Sequence, residues 1–123
     1  MCEKTLQGCH VLIVEDEYLL ASELSAALQE AGAIVIGPIG QLDAVLERIQ
    51  AETDIHGALL DVNLGGVSVF PAADLLAARG VPMVFTTGYD ASSIPDRYAE
   101  VPRCEKPVSL AKVTEAIGRM IHG

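Results

Sequence analysis

Several side chains in this sequence stand where an apolar run stops, and each is of a type that handles charge. Val11-Leu12-Ile13-Val14 runs into Glu15-Asp16-Glu17, and Ala58-Leu59-Leu60 runs into Asp61. Val84-Phe85-Thr86 reaches Thr87-Gly88, and Arg103-Cys104-Glu105 leads to Lys106-Pro107. If these runs are parallel strands, Glu15, Asp16, Asp61, Thr87 and Lys106 meet at one sheet edge. Carboxylates crowded in that way raise one another's pKa unless a cation sits among them. Mg²⁺ suits such a place, because it takes a few carboxylates and a carbonyl and keeps several waters. Asp16 and Asp61 would bind it directly, the backbone carbonyl of Asn63 would be a third ligand, and Glu15 would act through water. Lys106 is a point charge able to clamp a carboxylate or an acyl phosphate. The Thr87 hydroxyl can donate to a phosphoryl oxygen, and Gly88 leaves the approach open.

Each of these features has an ordinary explanation when taken alone. Acidic residues opening a helix complement its dipole, and an aspartate ending a strand is often a turn residue. What carries information is their joint occurrence, each at the end of a different run.

The elements between them fit that arrangement. Short apolar runs bounded by turn residues read as buried parallel strands: His10–Val14, Ala33–Ile36, Ala58–Leu60 and Pro82–Thr86, with Arg103–Glu105 a brief fifth strand. Gly37-Pro38 is expected to close the second. Leu20, Leu24, Ala27, Leu28 and Ala31 recur at helical spacing, and Gly32 then supplies a stop. Leu42, Val45, Leu46 and Ile49 mark a second helix, and Phe70, Ala73, Leu76 and Ala77 a third. Leu110, Val113, Ile117, Met120 and Ile121 mark the last. Asp90–Val101 is polar and holds Pro95, so its helix is short, broken or absent. Met1–Gly8 reads as ragged and Gly65-Gly66 as a loop. Alternating strands and helices predict an α/β fold: a five-stranded parallel sheet, order 2-1-3-4-5, with helices on both faces. Its switch point between strands one and three brings Glu15, Asp16 and Asp61 side by side.

With 123 residues the chain reads as a single domain, residues 1–123 with a core of about 9–121. A net charge of −9 without a basic patch argues against a nucleic-acid ligand. Cys2, Cys9 and Cys104 are an odd, irregular set rather than a disulfide framework, and Cys104 reads as strand packing. No run approaches the ~20 apolar residues of a membrane span, and the N-terminus lacks a signal-peptide layout. The expected setting is reduced and cytoplasmic. His56 and His122 belong to no cluster and read as surface residues.

On these residues the chain resembles the receiver domain of two-component response regulators, from His10 to Ile121. The matching set is Glu15 and Asp16, Asp61, Thr87 with Gly88, and Lys106 with Pro107. Pro82-Met83-Val84-Phe85-Thr86-Thr87-Gly88-Tyr89 is similar to the Phe-Ala-Thr-Gly-Tyr type of stand-alone receiver, with Thr86 in place of the alanine. The resemblance implies a flavodoxin-like fold with Asp61 as phosphoacceptor, taking its phosphoryl group from a sensor histidine kinase or phosphotransfer protein, with Mg²⁺ required. It also implies a cis peptide between Lys106 and Pro107, which aims the lysine into the site. Enzymatic activity is expected to be limited to self-catalysed phosphotransfer and dephosphorylation.

Two departures stand out. Receivers usually carry an aromatic switch residue three positions before the lysine, where this chain has Arg103. The loop after Asp61 has Leu64-Gly65 instead of Met-Pro. Tyr89, two residues beyond Thr87, is therefore expected to take over part of the switch. The partner surface is expected over Tyr89–Val101, Arg103 and the start of the last helix, including apolar Ile94, Tyr98 and Val101. No output domain is expected after the last helix, so output would be protein contact or phosphate relay.

Other classes fit less well. A phosphatase- or dehalogenase-type hydrolase with Asp61 as nucleophile would carry it on the first strand and need a cap domain. A flavin carrier would want a phosphate loop where Glu15-Asp16-Glu17 stands. A receiver fragment of a hybrid kinase is the third alternative.

Overall fold

The structure, a computed structural model, describes residues 5–88 and 94–123. In chain order the first elements are β1 (His10–Val14), α1 (Tyr18–Glu30), β2 (Ile34–Ile39), α2 (Leu42–Ala51) and β3 (Gly57–Asp61). A small hairpin, β4 (Asn63–Leu64) and β5 (Val67–Ser68), precedes α3 (Phe70–Ala78). β6 (Met83–Thr87), a 3-10 turn (Asp96–Tyr98), β7 (Arg103–Glu105) and α4 (Leu110–His122) complete the set.

β2, β1, β3, β6 and β7 form one sheet in that order, all parallel. This is the expected 2-1-3-4-5 order once the antiparallel hairpin is set apart. That hairpin occupies the stretch expected to be a loop, with Gly65 and Gly66 at φ +61° and +93° in its turn. Val14 pairs with Leu60, and Asp61 pairs with Thr86. The residues leaving these strands therefore emerge side by side.

Strand alternation sends side chains to two separate cores. Leu12, Val14, Leu60 and Phe85 pack with Val45 and Ile49 of α2 and Phe70, Ala73 and Leu76 of α3. Val11, Ile13, Leu59 and Val84 pack with Leu24 and Leu28 of α1 and Val113 and Ile117 of α4. The two leucines of α1 are four residues apart on one face, and burying each is worth about 1.5–3 kcal/mol. α4 begins at Ser109, whose hydroxyl accepts from the Lys112 N–H at 3.3 Å.

Three expectations need correction. Gly37-Pro38 does not close β2, which runs on to Ile39. The extra residue is absorbed by a register irregularity at Gly37, which has φ +98° and whose Cα lies so near β1 that a Cβ would sit 2.9 Å from the Ile13 carbonyl. An edge strand tolerates the proline, and its extension lets the Ile39 carbonyl accept from the Glu15 N–H at 3.0 Å. Nor is the stretch before β1 ragged throughout. Leu6 is fully buried in the α1/α4 core, and its N–H donates to the Ala31 carbonyl at 2.9 Å. One large apolar side chain suffices to anchor an otherwise polar segment. Finally, Tyr98 is only 4% exposed and belongs to the α2/α3 core, not to the surface. Ile94 and Val101 are half-buried against that same core. Among the described residues no helix is long and apolar enough to cross a membrane.

Candidate functional site

The carboxyl ends of β1, β3 and β7 deliver the charged residues to one place. Asp61 is buried and its two oxygens are both engaged. Lys106 Nζ donates to Oδ2 at 2.8 Å, and the Asn63 N–H donates to Oδ1 at 3.0 Å. Glu15, 3% exposed, accepts from the Glu17 N–H at 3.0 Å, and Lys106 Nζ lies 3.4 Å from its carboxylate. Asp16 is exposed at the mouth, and one oxygen from each of Glu15, Asp16 and Asp61 lies within 4.8 Å of the others. Lys106 is thus a cation shared by Asp61, Glu15 and, at 3.7 Å, Glu17.

Burial pushes the Glu15 carboxyl up from its ordinary 4.5 to about 7. The Glu17 N–H opposes that rise, the Asp61 charge adds to it, and the Lys106 charge pulls back. Burial alone would lower the Lys106 ammonium. Its hydrogen bond to Asp61 and the neighbouring negative charges outweigh burial and hold it above the ordinary lysine value.

Among the described residues, the Thr87 hydroxyl, like that of Thr86, is buried without a hydrogen-bond partner, and Glu15 Oε1 makes no hydrogen bond, with the Lys106 ammonium 3.4 Å away. Buried orphans of this kind are costly. The backbone there is well tied, since the Lys106 N–H donates to the Thr87 carbonyl at 2.8 Å. The Lys106–Pro107 peptide bond is cis, as is Gly37–Pro38.

The donor set suits a hard divalent cation: all oxygen, anionic, with one carboxylate oxygen unsatisfied. Gly65, at φ +61°, borders the mouth, where a Cβ would make an ordinary 3.5 Å contact with Asp16 Oδ2. Glu17 and Gly65 were the members of the site that sequence reasoning passed over. The acidic triplet and the glycine pair signalled them, but both also read as ordinary helix and turn residues.

Glu15, Asp16, Asp61, Thr87 and Lys106 all come to the ends of adjacent strands, and Asn63 opens β4, one residue beyond the end of β3. Asn63 is exposed, and its side-chain oxygen accepts from the Gly66 N–H at 2.6 Å. Arg103 is exposed on β7, paired in register with Phe85. Tyr89 lies outside the described residues. His56 and His122 are exposed, with His56 Nδ1 accepting from the His10 N–H and the His122 ring 2.7 Å from the Thr5 carbonyl. Cys104 is half-buried against the α1/α4 core.

A doubly wound parallel sheet with this acidic cluster and lysine at its switch point defines an α/β protein of the flavodoxin-like receiver class. The comparisons carry that further. SdrG from Sphingomonas melonis Fr1 is 35% identical, over 94% of this chain and 97% of that one, with a TM-score of 0.79. Its BeF3-activated conformation matches with a TM-score of 0.70. A response regulator receiver protein from Sinorhizobium medicae, 19% identical, shares the fold with a TM-score of 0.81. The phyllosphere-induced regulator PhyR of Methylorubrum extorquens is 32% identical over 105 residues, 83% of this chain. The chain spans 37% of that relative's length. No family model matches. The chain belongs to the receiver domains of response regulators, the signalling modules of two-component systems.

Proposed function

We propose that this chain is a phosphorylation-controlled receiver in which Asp61 is the phosphoacceptor. The single observation that supports it most is the Asp61 carboxylate, held by Lys106 at 2.8 Å inside a cluster of three carboxylates at the sheet's switch point. The donor is a phosphohistidine of a sensor histidine kinase or phosphotransfer protein. An Asp61 oxygen attacks phosphorus in line, the P–N bond breaks, and its electron pair returns to the imidazole, which takes up a proton. Lys106 neutralises charge that gathers on the phosphoryl oxygens, so the chain's part is positioning and electrostatics. The Thr87 hydroxyl, buried without a partner, donates to one of those oxygens and is satisfied by it.

Asp16, Asp61 and the Asn63 backbone carbonyl would hold Mg²⁺, with Glu15 acting through water. When bound, the ion would supply positive charge that offsets the charge on the phosphoryl oxygens. The likeness to SdrG, which has a BeF3-activated conformation, supports this reading, since BeF3 mimics a phosphoryl group. Output passes through protein contact on the face that includes the half-buried Ile94 and Val101 and the exposed Arg103. The chemistry is the receiver's own phosphotransfer and dephosphorylation, in the cytoplasm.

Acetyl phosphate with Mg²⁺, followed by intact-mass measurement, tests the reading. One added phosphoryl group is expected, absent in Asp61→Asn and absent without Mg²⁺. A phosphoryl group that persists in Asp61→Asn refutes it.

A further inference from the structure

Phe70 of α3, Phe85 of β6 and Tyr98 of the 3-10 turn form a closed aromatic trio. The Tyr98 ring stacks on Phe70 at 5.7 Å and meets Phe85 edge-on at 5.6 Å, while Phe70 and Phe85 meet edge-on at 5.8 Å. The Tyr98 hydroxyl donates to Asp74 Oδ1 on α3. Arg97 donates to both oxygens of that carboxylate, at 3.1 and 3.2 Å, and its guanidinium lies 4.9 Å over the Tyr98 ring.

Phe85 sits two residues before Thr87, so both side chains project from the same face of β6. The strand is fully buried and bonded on both sides, which makes Phe85 and Thr87 move together. Arg103, the residue paired with Phe85 from β7, is exposed and offers no ring.

We propose that Tyr98 is the positioning residue of this site: through Phe85 it sets where Thr87 stands, and through Asp74 it makes the Ile94–Val101 segment follow the state of Asp61. The proposal rests on the phosphoacceptor reading above. Its two halves differ in strength. The ring is buried and edge-to-face contacts are sensitive to direction, so a shift of β6 must be felt by Tyr98. The hydroxyl's bond to Asp74 is part-buried and the Arg97–Asp74 pair beside it is exposed, with side chains 55% and 51% accessible, so the turn is held to α3 by little more than that one bond. A resting clasp and a released one then share the same anchored ring. When the Thr87 hydroxyl turns toward a phosphoryl oxygen, Phe85 moves with it, the Tyr98 hydroxyl leaves Asp74, and the turn is free to reorder.

Tyr98→Phe keeps the ring and removes the clasp. The full chain is compared with and without beryllium fluoride and Mg²⁺ by amide spectra, and its labelling by acetyl phosphate is timed. Wild type is expected to shift at Thr87–Gly88 and at 94–101 together. In Tyr98→Phe the 94–101 amides are expected to stand displaced toward the activated position before any beryllium fluoride is added. Labelling of Asp61 should also be faster by about two- to tenfold, the factor one hydrogen bond carries. Asp74→Asn, which alters the acceptor from the other side, should move both readouts in the same direction. If wild type responds and both variants match it in spectra and rate, the Tyr98 proposal is overturned and the phosphoacceptor reading stands. If wild type itself neither labels nor shifts, both are overturned.

Discussion

Replacing Glu15 by glutamine separates the charge of that side chain from its shape. In the unfolded chain the carboxyl ionises near its ordinary 4.5, whereas in the folded protein burial keeps it protonated up to about 7. Between these values the folded state holds the extra proton, so stability falls as pH rises through that window and levels off above it. At about 1.4 kcal/mol per unit, the ionised carboxylate costs about 3 kcal/mol of stability by about pH 8. Glutamine keeps an acceptor for the Glu17 N–H and never ionises. Glu15→Gln is therefore expected to be more stable than wild type by up to about 3 kcal/mol at about pH 8, and about equal at about pH 4.5. For a domain of this size that gain corresponds to a Tm rise of about 10 °C. Urea unfolding in chelator-treated buffer across this pH range measures it. Adding millimolar Mg²⁺ should narrow the gap, because the ion stabilises the ionised wild-type site and finds one carboxylate fewer in the variant. A stability difference that does not vary with pH, or a variant weaker than wild type at about pH 8, refutes the reasoning.

Lys106→Met leaves the buried carboxylates without their cation and is expected to lose about 1–3 kcal/mol near pH 7, scaled down because the lysine is partly exposed. Chemical denaturation should show that loss disappear in acid, as the carboxylates protonate. Leu6→Ala should cost about 2–4 kcal/mol, as removal of a buried leucine does, with phosphorylation of Asp61 by acetyl phosphate unchanged in extent.

The fold and the chemical residues were legible because each rests on local sequence. Buried parallel strands are short apolar runs, and Glu15, Asp61 and Thr87 each stand where such a run ends, while Lys106 follows a brief strand of mixed polarity and is marked by the proline after it. The strand order followed from parallel topology, and adjacency of the carboxylates from the order. What was illegible depends on long-range packing. Leu6 is one apolar residue in a polar stretch, with no period to betray it. Gly37-Pro38 carries a stop signal that the edge of a sheet absorbs as a bulge. Tyr98 lies in a stretch of mixed polarity broken by Pro95, so nothing nearby marks its ring as core. Its partners Phe70 and Asp74 are 28 and 24 residues away.

The sheet divides the interior into two compartments that share strands but no side chains. Volume lost beneath α1 and α4 cannot be refilled from beneath α2 and α3. Substitutions on opposite faces should therefore combine additively, while those within one face should compensate for each other. The alternation along β6 allots Phe85 and Thr87 to the same side, and Val84 and Thr86 to the other. Any lineage of this protein is then free to rework the α1/α4 side without disturbing the compartment that Phe85, Tyr98, Ile94 and Val101 share. In evolutionary terms, one half of this small domain is editable independently of the half that carries the response.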